Sequence, residues 1–597
     1  MTSSAKDHKY LDSLRHSCAH LLAAAVIELW PKAKRTIGPA IEDGFYYDFD
    51  FSPDDSKQAI KISEEDLQKI EKKMTEILET WQGFEGREVS LSEAKKLYND
   101  NPYKLELIEE FSKQAQLLTV FKSGNYEDLC RGGHIEHPKN ELTHFKLLSI
   151  AGAYWRGNEK NKMLTRIYGT CWPTKEELNK YLERLELAKL RDHRKLGKDL
   201  DLFTFSDEVG PGLALWTPKG TIIREELENW AKETEKKWGY QRVSTPHIAK
   251  HTLFEISGHL PYYKDDMYSP MEIEGEAYYL KGMNCPHHHM IFLSRPRSYR
   301  DLPLRFAEYG TVYRYEASGS LFGLLRARAI TQNDAHIYCT EDQAEKEFLD
   351  VLKIHEYYYK TLGLTKKDYY IVLGLPDETK RDKYHGDKKL WDKAEAMMRS
   401  AIKKSQIRLE EDKGGAAFYG PKIDFNIKSS TGRTFGISTN QLDLFMPQRF
   451  NLTYTDRDGK EKYCVVIHRA PLGSHERFIG FLIEHYGGAF PVWLAPVQVK
   501  VLPITERNLN YAEKVADKLR EENIRIELDD RNETLQAKIR DAQIEKVPYM
   551  FIVGDKEQKS QEVAVRLRTE KDLGQMDLSK FLHLIKVKIE TKALNLI

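Results

Sequence analysis

The stretch from Leu304 to His336, LRFAEYGTVYRYEASGSLFGLLRARAITQNDAH, constrains this chain more than any other. Both halves are rich in β-formers, and ASGSLFG between them reads as a loop, so the stretch predicts a long antiparallel hairpin. Strand alternation puts Arg314 and Glu316 on one face of the first half. It also puts Arg326, Arg328, Gln332 and Asp334 on one face of the second. Two readings follow. The face is a solvated one laced with surface ion pairs, or it receives a charged ligand, since burying that many charges without one is costly. Arginine forks match phosphate oxygens, which favours the ligand.

A chain of 597 residues has room for three or four domains, each with its own core. Lys plus Arg and Asp plus Glu both number 92, so the net formal charge is zero. Any nucleic-acid contact must then come from local patches, not a global field. The sequence lacks an apolar run of membrane-spanning length and a signal-peptide pattern. Its six cysteines lack the spacing of a disulfide framework, which predicts a reducing, cytoplasmic setting.

Residues 8–30 carry a helical apolar pattern with His16 and His20 four apart on one face. Such a pair either holds a metal or substrate or is a half-buried pair on an amphipathic helix. Farther on, YEDLCRGGH places Cys130 and His134 four apart after Asp128, in a glycine turn. Together the four groups make a nitrogen and sulfur set that zinc accepts. A charged helix is predicted over 63–81, and a capping box at Thr174 and Glu177 starts a long connecting helix. From Trp493 the pattern becomes strand–helix–strand, an α/β module with mostly parallel strands.

The Tyr313-Arg314-Tyr315-Glu316 element, its loop and the second arginine strand resemble motif 2 of class II aminoacyl-tRNA synthetases. The longer string GTVYRYEASGSLFGLLRARAITQNDAHIYC resembles the threonyl branch of that family. The resemblance extends through the chain. TIIREELENWAKETEKKWGY with QRVSTPHIAK resembles motif 1, and PLGSHERFIGFLIEHYGG resembles motif 3. HSCAH, GFYYDF, NPYKLELI, DLCRGGH and GAYWRGN follow the order of the bacterial-type editing domain. DDRNETLQAKI, GDKEQKS and VAVRLR resemble the family's anticodon-binding domain.

The resemblance implies an α/β and α+β multidomain chain: editing domain over 1–172, connecting helix over 173–199, catalytic domain with an antiparallel sheet over 200–492, and anticodon-binding domain over 493–597. The domain that commonly precedes the HxxxH helix, a ubiquitin-like one, is expected to be lacking. The implied reaction joins threonine to its tRNA through a threonyl-adenylate, with hydrolysis of mischarged seryl-tRNA. Arg314 is expected on the α-phosphate, Arg326 and Arg477 at the γ-phosphate end and Glu316 on the adenine side, with Mg2+ bridging phosphates. Gln332, Asp334, Tyr419, Lys422, Gln441 and Ser474 are the expected substrate contacts. Cys285, His336 and His468 align with the family's zinc ligands, three ligands that leave an open position. His16, His20, Tyr47, Lys104, Asp128, Cys130 and His134 are carried over to editing, where the family positions a water without an obligatory metal; the zinc reading of that set also stands. Asn532, Glu557 and Arg566 are the expected anticodon contacts. Motif 1, with Pro246, implies a homodimer.

A cation in the first turn of a helix, as at Arg477, opposes the helix dipole unless an anion is near; the bland alternative is a surface salt bridge. The chain departs from the family's pattern at Gly133, His287, Phe322, Asn333 and Gly436. Two rival classes are a non-catalytic RNA-binding regulator and a stand-alone deacylase. The first predicts eroded ATP residues, and the second has no use for the motif 2 arginines and the Cys-His-His set.

Overall fold

In the computed structural model the predicted hairpin is present: Leu304–Tyr313 and Ala329–Cys339 pair antiparallel from Leu304 opposite Tyr338 to Tyr313 opposite Ala329. The structure describes residues 3–52, 60–114, 116–377, 379, 384, 388–429 and 432–597. Two units separate, Met1–Leu185 and Glu186–Ile597.

In the first unit, helix α1 (Ser3–Leu29) is followed by β1 (Lys34–Arg35), β2 (Gly44–Asp50), α2 (Leu67–Leu78), α3 (Pro102–Lys113), β3 (Thr119–Ser123), β4 (Tyr126–Leu129), β5 (Phe145–Tyr154) and β6 (Met163–Cys171). Strands β1, β2, β6 and β5 lie side by side in an antiparallel sheet, joined at β2 by Ala40–Ile41. The apolar side of α1, with Leu14, Cys18, Leu21, Leu22 and Ala25 fully buried, packs with Phe45, Tyr47 and Phe49 of β2 in one core. Burying side chains of that size, at about 1.5–3 kcal/mol each, is what holds helix to sheet. Strands β3 and β4 form a second small sheet with Glu85–Glu88.

The Thr174 capping box forms as predicted: the Thr174 amide donates to the Glu177 carboxylate at 3.1 Å, and the Glu177 amide to Thr174 Oγ1 at 3.2 Å. The single connecting helix is corrected to two, α4 (Lys175–Leu190) and α5 (His193–Asp199). Asp192 breaks the run because its carboxylate accepts from the Arg194 amide and restarts the helix.

The second unit continues with α6 (Pro218–Lys237), β7 (Gln241–Arg242), α7 (Cys285–Leu293), β8 (Leu304–Tyr313), β9 (Ala329–Cys339), α8 (Glu341–Thr361), β10 (Tyr369–Leu375), α9 (Lys388–Ser405), β11 (Leu409–Lys413), β12 (Lys422–Lys428), β13 (Thr434–Asp443), β14 (Val465–Arg469) and α10 (His475–Tyr486). The eight-stranded sheet runs β7-β8-β9-β14-β13-β12-β10-β11. Its inner six strands are antiparallel and its two edges pair parallel. Helix α8 covers one face through Phe348, Val351, Leu352 and Tyr359, leaving the other for the site. The motif 1 strand is corrected to two short pieces in different sheets, β7 and Ile248–Lys250.

The hairpin loop is longer than ASGSLFG. It spans 314–328 because the Arg328 amide, which would continue the ladder, donates instead to the Gly212 carbonyl at 2.7 Å. Arg326 and Arg328 are therefore loop residues, not strand residues.

The C-terminal module comprises β15 (Val499–Pro503), α11 (Leu509–Glu521), β16 (Ile526–Leu528), α12 (Leu535–Ile544), β17 (Tyr549–Val553), α13 (Asp555–Ser560), β18 (Val563–Leu567), β19 (Asp572–Met576) and α14 (Leu578–Glu590). Its sheet order is β16-β15-β17-β18-β19. Only the pairs around β15 are parallel; β17–β18 and β18–β19 are antiparallel. The expectation of mostly parallel strands is corrected accordingly: the chain returns antiparallel after the six-residue α13 between β17 and β18, and again at the short turn between β18 and β19.

Candidate functional site

A cavity of 440 Å³ lies over the open face of the large sheet. Strand alternation builds its floor: Ile330, Gln332, Asp334 and His336 of β9 point into it, as do Ile437, Thr439 and Gln441 of β13. Arg314, Cys285, Tyr419, Lys422, His468, Ser474 and Arg477 complete the part of the lining that concerns chemistry. Eleven of the residues singled out in the sequence thus converge on one cavity, from stretches more than a hundred residues apart.

Arg477 lies where a helix start meets the cavity. Ser474 caps α10, its hydroxyl accepting from the Arg477 amide at 3.3 Å. The guanidinium donates to the Leu325 carbonyl at 3.2 Å and the Gly436 carbonyl at 3.1 Å. Burial, with the positive charges of Arg314 and Arg326 nearby, lowers its pKa. Its hydrogen bonds go to backbone carbonyls and not to a carboxylate, so the bland alternative of a salt bridge is not what holds it, and a buried cation beside Arg314 calls for an anion. Arg326, 52% exposed, pairs with Glu316 at 2.8 Å on the loop beside the cavity. The departure at Gly436 has a consequence: its backbone carbonyl holds Arg477. Asn333 lies on the opposite face of β9, buried, donating to Glu235 at 2.8 Å, away from the cavity.

Cys285, His336 and His468 each bring one ligating atom within 4.8 Å of the others. All three are buried. His468 Nε2 lies 3.0 Å from the Asp443 carboxylate, which accepts, so the Nδ1 lone pair is left for a metal. His336 Nδ1 lies 2.8 Å from His288 Nδ1, and His288 Nε2 lies 3.1 Å from Glu308. Burial pushes Glu308 up, but the His288 hydrogen bond and the Lys281 charge outweigh it and hold the pKa down at about 2. The donor set, its oriented rings and its ionised partners fit a metal with nitrogen and sulfur preference. His287 stays outside this set. Neither of its ring nitrogens has a hydrogen-bond partner, and burial, then the Lys281 charge, lowers its pKa to about 4.

In the first unit a cavity of 650 Å³ is lined by His16, His20, Tyr47, Lys104, Asp128 and Cys130, with Leu107, Phe111, Leu117 and Leu118 forming an apolar side. His134 is set behind it, stacked between Phe84 at 4.0 Å and His16 at 4.7 Å. His16 Nε2 lies 3.0 Å and His134 Nε2 3.3 Å from the Cys130 sulfur. Ser17 Oγ accepts from the Ile135 amide at 3.1 Å and lies 3.2 Å from His134 Nδ1. The four groups are close enough to hold a metal. The family's proline is fixed near a φ of −65°, whereas Gly132 and Gly133 adopt φ of 87° and 83°, so this turn takes another path.

Asp128 is an anchor, not a free base. It accepts from Lys104 at 2.7 Å, Arg35 at 3.2 Å, Tyr126 at 3.1 Å, the Leu129 amide at 2.9 Å and the Tyr47 hydroxyl. Burial raises its pKa, but Lys104 and Arg35 outweigh that and keep it ionised well below the usual range. Burial lowers Lys104 against the pull of Asp128, and Arg35 lowers it further. Sequence reasoning missed Arg35, Asp443 and Glu308. The triple histidine His287-His288-His289 was the one local signal that an imidazole partner stood beside Cys285.

In the C-terminal module, Asn532 is exposed in the loop before α12. Glu557 caps α13, accepting from the Gly554 amide at 3.0 Å and from Gln575 at 2.9 Å. Arg566 is half-buried on β18, opposite Met550.

A six-strand antiparallel core with arginines and a capped helix start around one cavity belongs to the class II aminoacyl-tRNA synthetases. Residues 268–486 match the family described as tRNA synthetase class II core domain (G, H, P, S and T). Residues 498–588 match the anticodon binding domain, and residues 118–168 the threonyl and alanyl tRNA synthetase second additional domain. The chain is 47% identical to threonine–tRNA ligase of Borreliella afzelii over 579 residues, 97% of each chain. It is 46% identical to that of Dehalococcoides mccartyi, over 98% of this chain and 97% of the relative. The RNA binding domain of threonyl-tRNA synthetase from Cryptosporidium parvum superposes with a TM-score of 0.63 at 34% identity, covering 68% of this chain and 99% of that one. The chain belongs to the threonine–tRNA ligase family.

Proposed function

We propose that this protein activates threonine with ATP, transfers the threonyl group to the 3′ end of its tRNA, and hydrolyses seryl-tRNA made in error. The observation that carries the reading is the single cavity lined both by Arg314 and Arg477 and by Cys285, His336 and His468. ATP enters with its Mg2+. Arg314 holds the α-phosphate, Arg477 and Arg326 take the γ end, and Glu316 turns to the adenine side. The threonine carboxylate attacks the α-phosphorus in line, and pyrophosphate leaves. Catalysis here is positioning and charge stabilisation. Cys285, His336 and His468 would hold a zinc ion, which would supply a Lewis-acid seat for the polar groups of threonine. Asp334, steadied by Asn284 at 3.0 Å, faces the same amino group as an anion. Gln332, Tyr419, Lys422, Gln441 and Ser474 shape the remaining walls. The tRNA terminal hydroxyl then attacks the carbonyl carbon and releases AMP.

Editing is assigned to residues 1–172, with a water positioned among His16, His20 and Lys104. Residues 173–199 connect, 200–492 carry activation, and 493–597 read the anticodon through Asn532, Glu557 and Arg566. The reading includes a homodimer built on motif 1 and a cytoplasmic setting, supported by six unpaired cysteines. Among the described residues no helix is long and apolar enough to cross a membrane. The non-catalytic regulator and the stand-alone deacylase are set aside, because the arginines and the metal-type triad that neither needs are all in place. The test is amino-acid-dependent ATP–pyrophosphate exchange across all twenty amino acids. Threonine should dominate, with serine second. No exchange with any amino acid, on protein shown to bind tRNA, overturns the reading.

A further inference from the structure

His193 opens α5 and is fully buried. Its Nδ1 lies 2.9 Å from Oε1 of Glu484, two turns beyond Arg477 on α10. The other ring nitrogen, Nε2, accepts from the backbone N–H of Leu324 at 3.2 Å. A carboxylate only accepts and an amide N–H only donates, so the ring is neutral, with its proton on Nδ1 and its lone pair on Nε2. Leu324 belongs to the 314–328 loop that carries Arg326.

The loop is fitted to this ring over several residues. A Cβ at Gly323, where φ is 51°, would meet His193 Nε2 at 2.4 Å. Phe322 sets its ring edge-on to His193 at 5.5 Å, and Arg194 lies over the Phe322 face at 4.3 Å. The Leu325 carbonyl is held by Arg477 at 3.2 Å. Gly480 on α10 permits the close approach, since a Cβ there would come within 3.1 Å of Leu325 and 3.3 Å of Leu324. The segment just before Arg326 is thus tied at one amide to His193 and at one carbonyl to Arg477. The residue expected to grip ATP is itself half exposed, with Glu316 as its carboxylate partner. Its position therefore depends on the backbone beneath it.

We infer that His193, oriented by Glu484, is a positioning residue for ATP: it fixes Leu324, and so fixes where Arg326 stands when the triphosphate arrives. The inference rests on the reading of Arg326 given above. It also gives Phe322, a departure from the family pattern, a part in holding the loop.

Two amides separate this role from simple satisfaction of Glu484. In His193→Asn the side-chain amide reaches the position of Nδ1, keeping a donor for Glu484 and leaving the Leu324 N–H without its acceptor. In His193→Gln the side-chain oxygen reaches the position of Nε2 and keeps that acceptor. Gly323→Ala pushes the loop off the ring while leaving the His193–Glu484 pair intact, and it serves if the Asn variant does not fold. All are compared in the full-length protein by threonine-dependent ATP–pyrophosphate exchange, with KM for ATP and for threonine measured separately. His193→Asn and Gly323→Ala should each raise the KM for ATP about tenfold, the cost of one buried unpaired donor, and leave the threonine KM within about twofold. His193→Gln should stay near the parent. Equal impairment of the Asn and Gln variants, or parent values for both Asn and Gly323→Ala, overturns the inference. Arg326→Ala is the control on the reading beneath it. If that variant leaves the KM for ATP unchanged, the assignment of Arg326 fails first. If it raises the KM while Asn and Gly323→Ala do nothing, only the role of His193 fails.

Discussion

His336 and His288 meet nitrogen to nitrogen, their Nδ1 atoms 2.8 Å apart in a buried setting. Two ring nitrogens at that distance share one proton. Its owner is decided at the far side of His288, where Nε2 faces the ionised Glu308. That carboxylate takes Nε2–H, which makes His288 Nδ1 the acceptor and His336 Nδ1 the donor. The chain Glu308–His288–His336 therefore leaves the His336 Nε2 lone pair for a metal.

The first prediction follows from that chain. Glu308→Gln removes the charge that orders the protons without touching a ligand. Zinc affinity, measured by chelator competition, should fall about 10–100-fold. Cys285→Ser should lose the metal and threonine activation together. A Glu308→Gln protein that holds zinc as tightly as the parent would show that the relay does not orient His336.

The second prediction concerns pH. His355 is fully buried, stacked on Phe425 at 4.1 Å and 3.1 Å from Asn440. Burial, against a smaller pull from Asn440, lowers its pKa from 6.5 to about 3. Between those values the unfolded chain binds a proton that the folded chain refuses, so stability is full above about pH 6.5 and falls as the pH drops toward 3. One such group costs about 2 kcal/mol by pH 5. Denaturant unfolding of the catalytic unit at pH 7 and pH 5 should show the loss, and His355→Gln should show less of it. Equal pH dependence in parent and variant would mean that His355 is not the group responsible.

What the sequence made legible was whatever repeats along one strand or helix. Gln332, Asp334 and His336 share a face because a strand has a period of two, and His16 and His20 because a helix nearly repeats at four. Once the motif 2 hairpin was read, its floor followed. The illegible parts depend on pairing between distant segments. Asp443 orients His468, Arg35 shares Asp128 with Lys104, and His193 reaches Leu324 across 131 residues. None of these carries a local pattern. The loop length failed for a related reason, because the Gly212 carbonyl takes the Arg328 amide. Strand β19, DLGQM, has too few β-formers to announce itself.

The third prediction tests the C-terminal module. Asn532 is exposed and Arg566 is half-buried on a strand, where a guanidinium can meet an unstacked base. Arg566→Ala should weaken aminoacylation of tRNA and leave pyrophosphate exchange intact. Equal loss in both assays would assign Arg566 to folding.

The fourth prediction joins the two cavities by their chemistry. A metal seat for a hydroxyl rejects valine, which matches threonine in shape but leaves the polar position unsatisfied, by roughly 10⁴ or more. Serine keeps the hydroxyl and lacks one methyl, worth only about 1–3 kcal/mol, or roughly 10–200-fold. A threonine site of this kind admits serine, and a second, hydrolytic site is needed to remove the product. The 650 Å³ cavity of the first unit has the parts: His16 and His20 at its wall, both held neutral because burial lowers their pKa, and Lys104 as a cation beside them. Neutral imidazoles can take a proton from water, and the apolar side formed by Leu107, Phe111 and Leu117 can receive the terminal adenosine. His16→Ala combined with His20→Ala should leave threonine activation near the parent rate and let seryl-tRNA accumulate. The measurement is deacylation of preformed seryl-tRNA for threonine by both proteins. If parent and double variant clear it at the same rate, the first unit is not the editing site, and its histidines serve the fold alone.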